Sequence, residues 1–292
     1  MPLFGAHLSI SRGFHNAVAA AVALRCDTLQ IFTKNASQWR AEPLTAEEIT
    51  AFRRAAGASN LKHLTAHDSY LINLASPDIG IYAKSVEAFV DEMERAEALG
   101  LSYLVTHPGA HTGSGEEAGL ARVVAGFEEV HARCAGFNVR VLIETTAGQG
   151  TALGHRFEHL GTILQRATCA DRMGVCLDTC HVFAAGYALA SASDYAATFQ
   201  QFDDLIGLSR LKLFHVNDSA KPFGSRVDRH AGIGLGAIGV DAFRRLVTDP
   251  RFGNRPMILE TPKKDDDGNE MDAINLARLR SFVTEDVARA AS

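Results

Sequence analysis

The sequence predicts one α/β domain over residues 1–292, a (β/α)8 TIM barrel with its active site at the C-terminal mouth of the strands. Three observations carry this. Eight short apolar runs rich in β-branched residues recur along the chain. The stretches between them have helical spacing. Eight units in 292 residues average about 36 residues each, a comfortable strand-plus-helix size. Alternating strands and helices mean parallel strands joined by crossover helices. The runner-up, an open doubly wound sheet, lacks the GxGxxG that would follow its first strand.

The runs fall at residues 3–9, 28–32, 62–66, 103–106, 140–144, 174–178, 212–216 and 257–260. Between the third and fourth, Tyr82, Val86, Phe89, Met93 and Ala96 repeat at intervals of four and three. Leu120, Val123, Phe127 and Val130 repeat the same way in the next connection. Each set is one apolar face of an amphipathic helix. No linker or low-complexity tract divides the chain, and the densest charge cluster, Lys263-Lys264-Asp265-Asp266-Asp267, reads as a solvated turn.

Composition narrows the class. At 47% hydrophobic and 22% charged residues, the chain is neither a disordered protein nor a fibre. The apolar run at residues 17–24 is far short of the ~20 residues of a membrane span and has no basic segment before it. Five cysteines with no CxxC pair argue against a disulfide framework. A soluble cytoplasmic protein is expected. Its net charge of −5 speaks against nucleic acid, but only for a chain without bound cations.

The informative residues end the strands. They are Gly5-Ala6-His7, His67-Asp68, His107-Pro108-Gly109, Glu144, Asp178 with His181 three residues on, His215, and Glu260. In a parallel barrel all of these surround one mouth. One strand-end histidine is usually a satisfied polar residue. Several carboxylates converging with few basic partners would instead have raised pKa values and cost stability. Divalent metal resolves this. Asp228 and His230, in the last long connection, point the same way in an extended segment and can grip one ion together with His181. Imidazole and carboxylate without thiolate suit Zn²⁺, with Mn²⁺ or Fe²⁺ as alternatives. The candidate ligands are too many for one tetrahedral ion, so a bridged cluster of two or three is expected. Cys176 and Cys180 read as small buried hydrophobes.

The segments Gly5-Ala6-His7, His67-Asp68-Ser69-Tyr70-Leu71-Ile72-Asn73-Leu74, His107-Pro108-Gly109, Leu142-Ile143-Glu144-Thr145-Thr146-Ala147-Gly148, Cys176-Leu177-Asp178-Thr179-Cys180-His181, His215-Val216-Asn217-Asp218-Ser219, Gly224-Ser225-Arg226-Val227-Asp228-Arg229-His230 and Leu259-Glu260-Thr261-Pro262 resemble, in order, the endonuclease IV family of abasic-site endonucleases. The resemblance spans nearly the whole chain. It implies a deoxyribonuclease IV-type phosphodiester hydrolase of base excision repair, with three Zn²⁺ per chain. His67, His107 and Glu144 would hold the first ion. Glu144, bridging, would hold the second with Asp178, His215 and Glu260. His181, Asp228 and His230 would hold the third. The implied substrate is duplex DNA with a missing base, nicked 5′ to the lesion to leave a 3′-hydroxyl and a 5′-deoxyribose phosphate, with removal of blocked 3′ ends as a companion activity. Water activated by the ions and positioned at Glu144 and Glu260 would attack phosphorus in line. His7 is either a residue that orients a ligand or a polar plug of the barrel.

Three Zn²⁺ would bring the chain from −5 to +1, with the added charge at the mouth where phosphate arrives. Lys34, Arg226 and Arg229 are expected to contact the DNA backbone from mouth loops. The resemblance makes Tyr70 the side chain wedged into the gap. Trp39 is expected to support its loop by packing. The family often carries an arginine where this chain has Ser37, and an acidic residue where it has Leu235. A monomer is expected, since a duplex needs free access to the mouth. Two other readings compete: a xylose-isomerase-like sugar isomerase or epimerase, which has no use for the Asp228–His230 pair or the Tyr70 loop, and a non-catalytic binder of damaged DNA, which has no use for a complete ligand set.

Overall fold

The computed structural model describes residues 1–290. In chain order its elements are β1 (Leu3–His7), α1 (Phe14–Ala23), β2 (Thr28–Phe32), α2 (Ala46–Gly57), β3 (Thr65–His67), α3 (Ile79–Leu99), β4 (Tyr103–Thr106), α4 (Glu116–Arg133), β5 (Arg140–Glu144), α5 (Phe157–Arg166), β6 (Met173–Asp178), α6 (Thr179–Ala185), α7 (Ala192–Leu205), β7 (Leu211–His215), β8 (Asp218–Ser219), β9 (His230–Ala231), α8 (Val240–Thr248), β10 (Pro256–Leu259) and α9 (Met271–Ala290). Eight parallel strands close into a barrel in the order β1-β10-β7-β6-β5-β4-β3-β2. β8 and β9 form a separate antiparallel ribbon above the mouth, pairing Ser219 with His230.

The two predicted apolar helix faces lie inward. Val86, Phe89, Met93 and Ala96 of α3 are buried, with Tyr82 half-buried at its start. Leu120, Val123, Phe127 and Val130 of α4 are buried likewise. Asp78 caps α3 by accepting the Ile81 N–H, and Gly100 stops it in the left-handed conformation at φ 75°. The third strand starts three residues later than its apolar run. His63 sits at φ 51°, which breaks extended backbone before Thr65. The first strand ends at His7, although Leu8 still donates to the Gln30 carbonyl at 2.9 Å.

The barrel interior explains the position of the site. Val105, Leu142, Cys176, Leu213 and Ile258 form one small apolar layer inside the strands. Side chains alternate faces along a strand, so the residue two further on points into the same lumen one layer higher. Those residues are His107, Glu144, Asp178, His215 and Glu260. The apolar layer is the floor on which the polar ring stands.

Candidate metal centre

The ring is built around Glu144, whose carboxylate is fully buried at the end of β5. Its Oε2 lies 3.0 Å from His67 Nε2 and 3.1 Å from His107 Nε2. Its Oε1 lies 2.9 Å from His215 Nδ1 and 3.3 Å from His181 Nδ1. His215 Nδ1 is also 3.2 Å from Glu260 Oε2. Asp178 ends β6 and at once caps α6, its Oδ1 accepting the His181 N–H at 2.8 Å. This abrupt strand-to-helix turn swings His181 over the ring. His181 Nε2 then meets Asp228 Oδ2 at 3.1 Å, and His230 Nε2 meets Asp228 Oδ1 at 3.3 Å and Asp178 Oδ2 at 3.6 Å.

Ligand-type atoms within 4.8 Å of one another therefore fall into overlapping sets: His67, His107 and Glu144; Glu144, Asp178, His215 and Glu260; and Asp178, His181 and His230, with Asp228 beside the last. All nine residues singled out in the sequence meet in one place. Cys176 Sγ also falls within this distance of Glu144 and His215, but burial pushes its thiol well above the ordinary range. Burial likewise pushes the Cys180 thiol up to about 12. Both are buried free thiols, and burial disfavours the charged form of each.

The electrostatics fit cations. Burial opposes the charge of Glu144, yet His215, His107 and His181 outweigh it and hold its pKa well below the carboxylate range. Burial opposes charge on His67 and His181 too, and the neighbouring carboxylates still push both well above the ordinary imidazole value. His230 is raised to about 9 against burial, chiefly by Asp178 and Asp228. A ring that must carry protons to balance its carboxylates can carry divalent ions instead. The hydrogen bonds agree. His67 Nδ1 donates to the Asp68 carbonyl at 3.0 Å and His181 Nδ1 to the Thr145 carbonyl at 2.8 Å, leaving each Nε2 turned to the ring. His230 Nδ1 is 3.2 Å from the Glu260 carbonyl, and its buried Nε2 has no well-aligned hydrogen bond among the described residues, only the nearby carboxylates of Asp228 and Asp178. An orphaned imidazole nitrogen aimed between two carboxylates fits a metal ligand.

The other expected site residues divide. Tyr70 stands 69% exposed on the rim, its ring 5.4 Å from Phe32 and 6.3 Å from His67. Ser37 is exposed on the adjacent loop, which the Ser69 hydroxyl and the Tyr70 N–H fasten through the Ala36 carbonyl at 2.7 and 3.2 Å. Arg229 is exposed between Asp228 and His230, and Arg226 is exposed at φ 55° with its N–H on the Ala184 carbonyl. Trp39 is half-buried against the core. His7 Nδ1 lies 3.2 Å from Glu260 Oε1. A cleft of about 290 Å³, lined by Tyr70, Asn73, His107, Gly148 and Gln149 among others, opens beside the ring.

Lys34 is a correction. Its side chain is only 1% exposed, and its ammonium is 2.6 Å from Asp91 Oδ2 and 3.5 Å from Glu92 Oε1 of α3. A cation held this way cannot reach DNA. It serves the fold by sharing the charge of Glu92, which burial pushes up to about 7 despite Lys34 and a hydrogen bond from Thr33. Because that value lies above the 4.5 of an ordinary glutamate, the stability Glu92 contributes is fully present below pH 4.5 and is lost as pH rises through about 7. Glu92→Gln should remove this slope. Urea unfolding of wild type and variant should show the stability difference shifting in the variant's favour by roughly 3 kcal/mol between pH 4.5 and about pH 8; parallel pH profiles would contradict it.

Two polar residues that sequence reasoning passed over hold the ring in place. Asn217, fully buried, donates to Asp178 Oδ2 at 2.6 Å and accepts the Glu260 N–H at 2.8 Å. Gln30, fully buried in the middle of β2, touches His215, Glu260 and His7. Its signal was a glutamine on the inward parity, between the apolar Leu29 and Ile31.

Residues 18–281 match the family described as Xylose isomerase-like TIM barrel. A protein named Probable endonuclease 4 from Chloroflexus aurantiacus is 54% identical over 283 residues, covering 97% of this chain and 99% of that one. The crystal structure of endonuclease IV from Thermus thermophilus superposes with a TM-score of 0.85 at 38% identity, covering 97% of this chain and all of that one. A D-tagatose 3-epimerase-like protein reaches a TM-score of 0.76 at only 18% identity, a likeness of fold alone. With more than half its residues identical to such a relative across almost its full length, and the barrel of the Thermus enzyme laid over its own from end to end, the chain belongs to the endonuclease IV family.

Proposed function

We propose that the protein hydrolyses the phosphodiester on the 5′ side of an abasic site in duplex DNA, leaving a 3′-hydroxyl and a 5′-deoxyribose phosphate, and that it clears blocked 3′ ends by the same chemistry. The observation that carries this is the shared carboxylate of Glu144, which faces His67 and His107 with one oxygen and His215 with the other and so joins two neighbouring ligand sets into one centre. The donor set suits three Zn²⁺, with His67, His107 and Glu144 on one, Glu144, Asp178, His215 and Glu260 on the next, and His181, Asp228 and His230 on the last; Mn²⁺ or Fe²⁺ could substitute. When bound, these ions lower the pKa of water and offset phosphate charge.

The chain's own residues do the rest. Glu144 and Glu260, fixed at the ends of their strands, hold charge and water in register with an arriving phosphate. Tyr70, exposed on a loop that backbone bonds fasten to its neighbour, is a rigid apolar wedge for the gap where a base is missing. Arg229, whose guanidinium donates to the Asp228 carbonyl, and Arg226 are exposed on the mouth loop, where they can pair with backbone phosphates. Every ligand comes from one chain, so a monomer suffices. No helix among the described residues is long and apolar enough to cross a membrane, and the five free cysteines suit the reducing cytoplasm.

The direct test incubates the protein with labelled duplex containing one abasic site, with and without prolonged chelation. Nicking 5′ to the lesion that vanishes on metal removal is expected. Binding without nicking would point to a non-catalytic damage binder, and neither binding nor nicking to a sugar-transforming relative of the same fold. Ser37, exposed beside Tyr70, sets affinity. Ser37→Arg adds a cation next to the wedge and should tighten binding to abasic duplex, on the order of 1 kcal/mol. The dissociation constant at fixed salt checks this, and an unchanged value counts against it.

A further inference from the structure

Gln30 is a costly choice for its position. The interior of such a barrel is ordinarily filled by branched aliphatic side chains, and a buried amide must find partners for every polar atom or destabilise the fold. Gln30 is fully buried and finds them all among the ring residues. Its Nε2 donates to Glu260 Oε1 at 2.6 Å and lies 2.9 Å from His7 Nδ1, while its Oε1 lies 2.8 Å from His215 Nε2.

These contacts fix which way the amide points. An ionised carboxylate only accepts hydrogen bonds, so the NH₂ must face Glu260 and the carbonyl oxygen must face His215. That oxygen in turn only accepts, so His215 must carry its proton on Nε2. A neutral imidazole with a proton there has its lone pair on Nδ1, and Nδ1 is the atom turned to Glu144 Oε1 and Glu260 Oε2. His67, His181 and His230 are arranged the other way round. In each of them Nδ1 faces a backbone carbonyl and Nε2 is left for the ring. His215 differs from these three both in the nitrogen it offers and in having a side chain as its orienting partner.

We propose that Gln30 is a positioning residue of the centre: it commits His215 to ligate a cation through Nδ1 and, by holding Glu260 Oε1, leaves Glu260 Oε2 for the same cation. The proposal rests on the ring being a metal centre. It assigns to one side chain in β2 the orientation of two ligands from β7 and from the end of β10, which the strands alone leave free to rotate.

The test uses the full chain loaded with Zn²⁺, as wild type, Gln30→Met, which keeps the volume but loses both kinds of hydrogen bond, and Gln38→Met, an exposed control. Zinc retained per chain is measured against rising chelator. Gln30→Met should release one class of zinc at about 10- to 100-fold lower chelator, with the remaining zinc and the Gln38→Met protein unchanged. A second measurement needs no variant: ¹⁵N-histidine NMR of the zinc-loaded wild type should show His215 ligating through Nδ1 with a slowly exchanging proton on Nε2. Ligation through Nε2, or identical zinc release from Gln30→Met and wild type, overturns the role of Gln30 and leaves the metal centre standing. A wild type that binds no zinc overturns the metal centre itself and the role of Gln30 with it.

Discussion

Glu144→Gln is expected to end nicking of abasic duplex and to empty two of the three ligand sets. Glutamine has the shape of glutamate but only one oxygen, and its NH₂ would face imidazole nitrogens that need a cation between them and the carboxylate. Both oxygens of Glu144 are engaged, Oε2 with His67 and His107 and Oε1 with His215, so either orientation of the amide spoils one side. The rate should fall by on the order of 10³-fold or more, the scale seen when one member of an interdependent catalytic group is removed. Initial rates and elemental analysis on the same preparation check it together. A variant that nicks at the wild-type rate with its ions intact would refute the central place given to Glu144. A variant that keeps its ions but loses activity would separate ligation from chemistry at this residue.

Asp218→Ala should have the largest effect on stability. Asp218 is fully buried, and its carboxylate accepts four backbone N–H groups: Ser219 at 2.8 Å, and Gly234, Gly236 and Ile238 at 3.0 Å each. Three of these bonds bind the 234–238 loop to the ribbon that carries His230. Alanine strands all four donors, and each unsatisfied group costs about 1–3 kcal/mol, so a loss of roughly 4 kcal/mol is expected after partial relaxation. Asp218→Asn keeps one acceptor oxygen and should lose about half as much. Urea midpoints of the metal-free proteins measure both. A midpoint shift below that of Asp218→Asn in the alanine variant would contradict the clamp. The fit is close: a Cβ on Gly236 would lie 2.4 Å from the Ser219 carbonyl oxygen, so the loop needs glycine there for room and not for flexibility.

Much of this was legible in the sequence, and for definite reasons. The period of two within a strand and the common polarity of parallel strands force residues such as Glu144 and Glu260 to one end of one lumen, however far apart they lie in the chain. That is why nine residues picked from strand ends and one loop meet in overlapping sets around one mouth. Lys34 was misread because a lysine just past a strand end looks like a mouth-loop cation. Its partners, Asp91 and Glu92, come from α3, and no local pattern announces a contact between a loop and the side of a distant helix. Gln30 was hidden inside an apolar run, where one polar residue reads as tolerance when its partners on β7 and β10 are out of view. Asp218 stood in a segment noted for its resemblance, but its task, gathering N–H groups from a glycine-rich loop, belongs to backbone geometry that composition does not express.

The barrel closes where β10 pairs with β1, and Glu260 follows directly on that last strand. During synthesis the other strands leave the ribosome first, so the nascent polypeptide has most of its ligands but lacks the carboxylate that completes the Glu144–His215 set. The Glu144–His215 set is therefore complete only once β10 has paired with β1, so closing the barrel and completing the ligand ring are one event.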